Sequence, residues 1–324
     1  MIKKILSILF GLSAVILIDQ NFFFYNLHKK HHYLYCKFKD CSKGPFTKNK
    51  KHNFLLNPKN SFKLQDLAQS KSIPKHNDYL LNEHGFRLSN DSSKKININL
   101  FGDSFTFGLF LGEEQQIATL LNKMSKTCHF KNYGVPAYDL LQMVNLSLDK
   151  DLVQEAQKNL FLFISDDMIR ITRQIEVHPY AIHTTIWDLQ KDFNLRDGIV
   201  PIFRIPTKLI RSSFFFYKLY TIFDKKFWAQ TPYQTLLDKF KKRSEERGIP
   251  AIFIHLPSPS DYKVMNRAEE VFRPSIAFKD ITIKEFETIK SKTHYFFEND
   301  GHPTPLGAKT YANGIATRLK DICF

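Results

Sequence analysis

Two short stretches, far apart in the chain, carry residue types that can cleave an ester or move an acyl group. The first is Asn99-Leu100-Phe101-Gly102-Asp103-Ser104-Phe105-Thr106-Phe107-Gly108, where an apolar run from Ile96 to Phe101 stops at a glycine and a small polar pair. A strand that runs into a Gly-Asp-Ser turn leaves a hydroxyl at its carboxyl end, where open α/β sheets bind their ligands. The second is Phe296-Phe297-Glu298-Asn299-Asp300-Gly301-His302-Pro303-Thr304-Pro305, an acid and an imidazole set just before a helix-starting Pro-Thr-Pro. Serine needs a base to take its proton, and imidazole needs a carboxylate to fix its tautomer and stabilise the imidazolium. Ser104, His302 and Asp300 are therefore the candidate nucleophile, base and orienting acid. A serine after a strand is by itself more often a turn or helix cap, so the second stretch is what gives Ser104 its weight.

These residues need a sheet to hold them. Ile96–Phe101, His129–Asn132, Asn159–Ile164 and Ala251–His255 read as strands, the third as the continuous apolar run of a buried parallel strand. Between them the sequence predicts helices: one opened by Gly112-Glu113-Glu114, with Ile117, Leu120, Leu121 and Met124 at helical spacing; one or two over 138–158; and others over 232–247, 283–291 and 305–319. Strands alternating with helices imply an α/β fold: a three-layer α/β/α sandwich on a parallel sheet of flavodoxin-like order.

The Gly102–Gly108 stretch, the Asn132-Tyr133-Gly134-Val135-Pro136 stretch and the Asp300-Gly301-His302-Pro303 stretch, in that order, resemble the signature blocks of the SGNH/GDSL hydrolase superfamily. Asn82-Glu83-His84-Gly85-Phe86-Arg87 resembles the Asn-x-x-Gly-Phe-Arg segment that many members carry ahead of the serine strand. The match runs over roughly residues 80–320, and only the blocks are specific. The resemblance implies a serine esterase without metal or organic cofactor, with the Ser104 and Gly134 backbone amides holding the oxyanion. Members usually carry Gly-x-Asn-Asp after the third strand, the asparagine donating to the oxyanion; here Asp166 stands in that place. An ionised carboxylate only accepts hydrogen bonds, whereas a protonated one can donate. Asp103, Asp167 and His255 are expected to line the substrate, His255 with a structural role as the alternative, and Asp261 and Tyr262 to reach the pocket.

The chain has 324 residues, 43% hydrophobic, with 31 Phe and a formal net charge of +15. That length suits one large α/β domain with an N-terminal extension, and the charge suits an acidic glycan or phospholipid headgroups. Nothing resembles a nucleic-acid motif. Lys3 and Lys4 precede an apolar run from Ile5 to Ile18 with no small-x-small cleavage site and no lipobox cysteine, and Phe22-Phe23-Phe24-Tyr25 follows. Residues 1–26 are thus expected to be an uncleaved signal anchor, with a cleaved signal peptide as the alternative. Residues 27–75 read as a basic linker lying outside the hydrolase-like domain of 76–324, which carries an insertion over about 168–230. Its aromatic, basic run from Lys208 to Trp228 is open to three readings: a lid, a membrane-facing helix or a helix packed on the sheet.

Four cysteines fit an exported protein. Cys36 with Cys41 is a local disulfide candidate, and Cys128 can pair with Cys323 only if the C-terminal end lies beside the second strand. A zinc site of His31, His32, Cys36 and Cys41 does not have standard finger spacing. The expected protein is a single-pass membrane protein with its domain on the periplasmic side, hydrolysing or transferring an acyl group, foremost O-acetyl, on a cell-envelope glycan. The competing expectation is a catalytically silent domain of the same shape that binds glycans or serves envelope assembly.

Overall fold

The computed structural model describes residues 46–49, 53–56, 73, 79–89, 96–170, 233–246, 248, 251–259, 261, 281–284, 294–298 and 300–324. Four parallel strands form the central sheet: β3 (Ile96–Gly102), β4 (Cys128–Gly134), β5 (Lys158–Phe163) and β6 (Ala251–His255), in the order β4-β3-β5-β6. They follow a short antiparallel hairpin of β1 (Phe46–Asn49) and β2 (Asn53–Leu56). The chain first places β4 on one side of β3 and then crosses to place β5 on the other. This reversal is the flavodoxin-like order, and it opens a crevice at the carboxyl ends of β3 and β5.

The helices are α1 (Ser104–Phe107), α2 (Ile117–Met124), α3 (Leu140–Ser147), α4 (Ser165–Arg170), α5 (Tyr233–Glu246), α6 (Pro305–Arg318) and α7 (Lys320–Cys323). Alternation along the strands divides the core in two, as the period-2 pleat requires. Phe101, Phe161, Phe163 and Phe253 face one way and pack with Leu141 and Val144 of α3 and Phe240 of α5. Leu100, Leu160, Leu162 and Ile254 face the other way and pack with Ile117 and Leu121 of α2 and Tyr311 and Ile315 of α6. The described elements are thus three layers of helix, sheet and helix. On the first face an aromatic row crosses all four strands: Phe101 stacks on Tyr133 (5.4 Å) and Phe161 (5.3 Å), and Phe161 stacks on Phe253 (4.8 Å). These residues are register partners, so each ring lies against the next.

The C-terminal end does lie beside the second sheet strand. Cys128 at the start of β4 is disulfide-bonded to Cys323 in α7, with Cα atoms 5.2 Å apart. The Cys323 carbonyl also accepts the hydroxyls of Ser125 (2.7 Å) and Thr127 (3.0 Å).

The basic segment of 27–75 is not wholly a linker. Leu55, Leu56 and Ile73 are buried in the first core, and a Cβ on Gly85, whose φ is +86°, would collide with the Leu56 carbonyl. The polar composition around these few apolar residues hid their burial. The helix expected to open at Gly112 is interrupted: Glu113–Gln115 forms a 3₁₀ turn, and α2 begins after an extended Gln116. The anchor expected over 1–26, Cys36 and Cys41 with their neighbouring histidines, and nearly all of the 168–230 insertion lie outside the described residues. Among the described residues no helix is long and apolar enough to cross a membrane.

Candidate active site

Each residue of the Gly102-Asp103-Ser104 turn has a local task. β3 ends at Gly102, and a Cβ there would strike the Thr106 side chain and the Leu162 carbonyl, so only glycine lets α1 fold back on the sheet. Asp103 is the N-cap: its Oδ1 accepts the Phe105 N–H at 2.8 Å. Ser104 then begins α1, at the carboxyl edge of the sheet and beside the β3–β5 crevice.

The second stretch is shaped by its own turn. Gly301 takes a left-handed φ of 91°, the Phe297 N–H donates to the His302 carbonyl at 2.9 Å, and Thr304 caps α6. This turn brings Asp300 and His302 to α1. The Ser104 hydroxyl donates to His302 Nε2 at 2.8 Å. On the far side of the ring, Nδ1–H donates to Asp300 Oδ1 in a short hydrogen bond, and the His302 backbone N–H donates to the same oxygen at 3.2 Å. A carboxylate only accepts, so the proton sits on Nδ1 and Nε2 is left as the acceptor facing serine. Ser104 Oγ also lies 3.4 Å from Asp103 Oδ2, but the shorter contact takes its single proton. The imidazole is 21% exposed and the Asp300 side chain 4%, so the ring can meet a substrate while its acid partner is shielded.

Two aromatic rings hold the imidazole. Phe105 lies 5.6 Å from it, centroid to centroid, and Phe110 meets it edge to face at 5.3 Å. Phe110 itself has φ 67°, a left-handed backbone that bulky residues avoid. Sequence reasoning missed Phe110, because nothing in an apolar Leu-Phe-Leu run announces a positive φ.

The other expected site residues need correcting. Asp103, Asp167 and His255 are wholly buried and present no surface to a substrate. The Asp103 carboxylate caps α1, and Asp167 Oδ2 accepts the Ile164 N–H at 2.9 Å. Gly134, expected to offer its amide to an oxyanion, donates it to Asn132 Oδ1 at 2.9 Å. Its lack of a side chain serves packing, because a Cβ would collide with the backbone of α1 at Phe107. Asn132 Nδ2 donates to the Thr106 carbonyl (2.9 Å) and to Gln116 Oε1 (2.7 Å), so this block fastens β4 to α1. Asp166 is half-buried in the first turn of α4, just beyond β5, the strand beside β3.

His255 belongs to a second Ser-His-Asp group. Ser165 Oγ donates to Asp261 Oδ1 at 2.6 Å and lies 2.9 Å from His255 Nε2, while His255 Nδ1 is 3.0 Å from Thr282 Oγ1. The serine has one proton and gives it to Asp261, so it accepts from His255 rather than being deprotonated by it. Burial holds the imidazole neutral, with its pKa down to about 3, and pushes the Asp261 carboxyl up. The group is sealed and ties the carboxyl ends of β5 and β6 together. Tyr262 lies outside the described residues. Among the described residues no cluster of three or more His, Cys, Asp or Glu could hold a metal ion.

The chain resembles solved structures of G-D-S-L lipolytic proteins. One is a lipolytic G-D-S-L protein of Veillonella parvula DSM 2008, 13% identical over 70% of this chain and 100% of that one, with a TM-score of 0.37. Another is a lipase/acylhydrolase of Enterococcus faecalis, 11% identical over 71% and 98%, with a TM-score of 0.38. A third is a lipase from a goat rumen metagenome, 11% identical over 69% and 97%, also at 0.38. No family model and no curated protein matches the chain. Likenesses this distant carry no chemistry, which has to come from the atoms of this site.

Proposed function

We propose that this chain is a serine esterase of SGNH type. The observation that carries the reading is the single line of hydrogen bonds from Ser104 Oγ through His302 to Asp300. As Oγ attacks an ester carbonyl, its proton passes to His302 Nε2 and Asp300 stabilises the imidazolium. The C–O bond of the ester then breaks, Nε2 returns the proton to the departing alkoxide, and the acyl group stays on Ser104. Water, deprotonated by the same nitrogen, releases the acid; an acceptor sugar hydroxyl in its place makes the reaction a transfer. The Ser104 backbone N–H lies in the first turn of α1, where it has no intrahelical acceptor, and it suits the developing oxyanion.

The finer reading is an exported, membrane-anchored enzyme acting on O-acetyl groups of an envelope glycan. The Cys128–Cys323 disulfide favours an oxidising compartment, the pattern of residues 1–26 favours an anchor, and a net charge of +15 favours an acidic polymer. Acetate release from acetylated envelope polysaccharides and from a small aryl acetate, by the full chain and by Ser104→Ala, tests it. Serine-dependent release from both supports the reading, and release that survives Ser104→Ala overturns it.

Asp166 favours one second reading, a silent glycan-binding domain, because an ionised carboxylate repels an oxyanion. Asp166→Asn is expected to raise turnover if that carboxylate is ionised. A fall assigns Asp166 a role of its own.

A further inference from the structure

We propose that Arg87 and Tyr79 are positioning residues for His302 and that they act through Phe110; the proposal rests on the esterase reading above. Arg87 is buried, and its guanidinium gathers three backbone carbonyls at the end of α1 and just beyond: Nη1 donates to Phe107 (3.1 Å) and Gly108 (2.7 Å), and Nη2 to Leu111 (2.7 Å). Its Nε faces Glu113 Oε2 at 3.4 Å. The rings of Tyr79 and Phe107 lie against it, with centroids 4.9 and 5.5 Å from Cζ. A planar fork with five N–H groups can serve all these acceptors at once, whereas a single ammonium nitrogen cannot span them.

The clamped segment contains Phe110. Its N–H donates to the Tyr79 hydroxyl at 2.9 Å, so the residue is pinned on one side by Tyr79 and on the other by the carbonyls that Arg87 holds. A φ of 67° is disfavoured for phenylalanine and persists where its surroundings over-determine it. This backbone aims the ring at the site: its edge-to-face contact with His302 is at 89°, and a second such contact reaches Phe297 on the histidine's own loop. His302 also meets α1 through the hydrogen bond of Ser104 and the ring of Phe105. Arg87 and Tyr79 thus act at a distance, by fixing the wall on which the imidazole rests.

The test uses the full chain with isotope-labelled histidine: wild type, Tyr79→Phe, Arg87→Lys, Phe110→Leu and the Arg87→Lys/Phe110→Leu double variant. Two quantities are read, the imidazole nitrogen signals of His302 and the rate at which a fluorophosphonate labels Ser104. Arg87→Lys and Phe110→Leu are each expected to shift the His302 signals and to slow labelling roughly tenfold or more. The double variant should be no slower than Phe110→Leu alone, because one effect runs through the other. Tyr79→Phe removes a single hydroxyl and should act in the same direction, so it carries the test if Arg87→Lys does not fold. Unchanged His302 signals in Tyr79→Phe and Arg87→Lys, or slowing that multiplies in the double variant, overturn the proposal. Absence of labelling in the wild type would instead overturn the esterase reading, and the imidazole signals would still decide the positioning role.

Discussion

Ser104 and His302 are separated by 198 positions in sequence, and their Oγ and Nε2 atoms stand 2.8 Å apart. The tautomer that makes this contact useful is set on the other side of the ring, by Asp300. Asp300→Asn keeps the size of the side chain but lets its amide donate, which favours the wrong tautomer. We expect ester turnover to fall by roughly 10³- to 10⁴-fold. The melting temperature should stay within about 4 °C of wild type. Steady-state hydrolysis of an aryl ester and a thermal melt on the same samples check both.

The disulfide between Cys128 and Cys323 closes a loop with a sequence separation of 195. In the chain-entropy model a loop of that order is worth about 5 kcal/mol, and measured values more often fall at 2–4 kcal/mol. Urea unfolding of a Cys128→Ser/Cys323→Ser variant should show a loss of that size relative to the oxidised wild type. A variant as stable as the wild type would mean that the crosslink contributes nothing.

His255 sets an acid limit on stability. In the native state its pKa is held down to about 3 by burial, below the ordinary value near 6.5 that it regains on unfolding. Below that ordinary value the unfolded chain binds a proton that the native chain refuses, so stability falls as pH falls, by up to about 1.4 kcal/mol per unit. Above about pH 7 the group contributes no pH dependence. Asp261, pushed up by burial, works in the opposite sense above its ordinary value near 4, so the histidine is read from the difference between wild type and a His255 variant. As pH rises toward about 6.5, urea midpoints should climb more steeply in the wild type than in His255→Asn.

The sheet was legible because its strands are buried on both faces. Runs such as Leu160-Phe161-Leu162-Phe163 have no polar alternative, and their bounds fall within a residue or two of those read from sequence. The Ser104, Asp300 and His302 triad was legible because residue type and order carry its chemistry. What escaped was whatever depends on three-dimensional accounting. Gly134 looks like an amide donor to a ligand until Asn132 is found accepting from it. Asp167 and His255 look like pocket residues until their burial and partners are known. Leu55 and Leu56 sit in a polar stretch, and only the core shows that they are covered.

The central claim is that Ser104 is a nucleophile activated by His302. Its most direct test is to treat the full chain with a fluorophosphonate, digest it, and locate the adduct by peptide mass. The account predicts one adduct, on the peptide bearing Ser104, with a labelling rate that collapses in His302→Ala. An adduct on another residue, or labelling of Ser104 that is indifferent to His302, would contradict it.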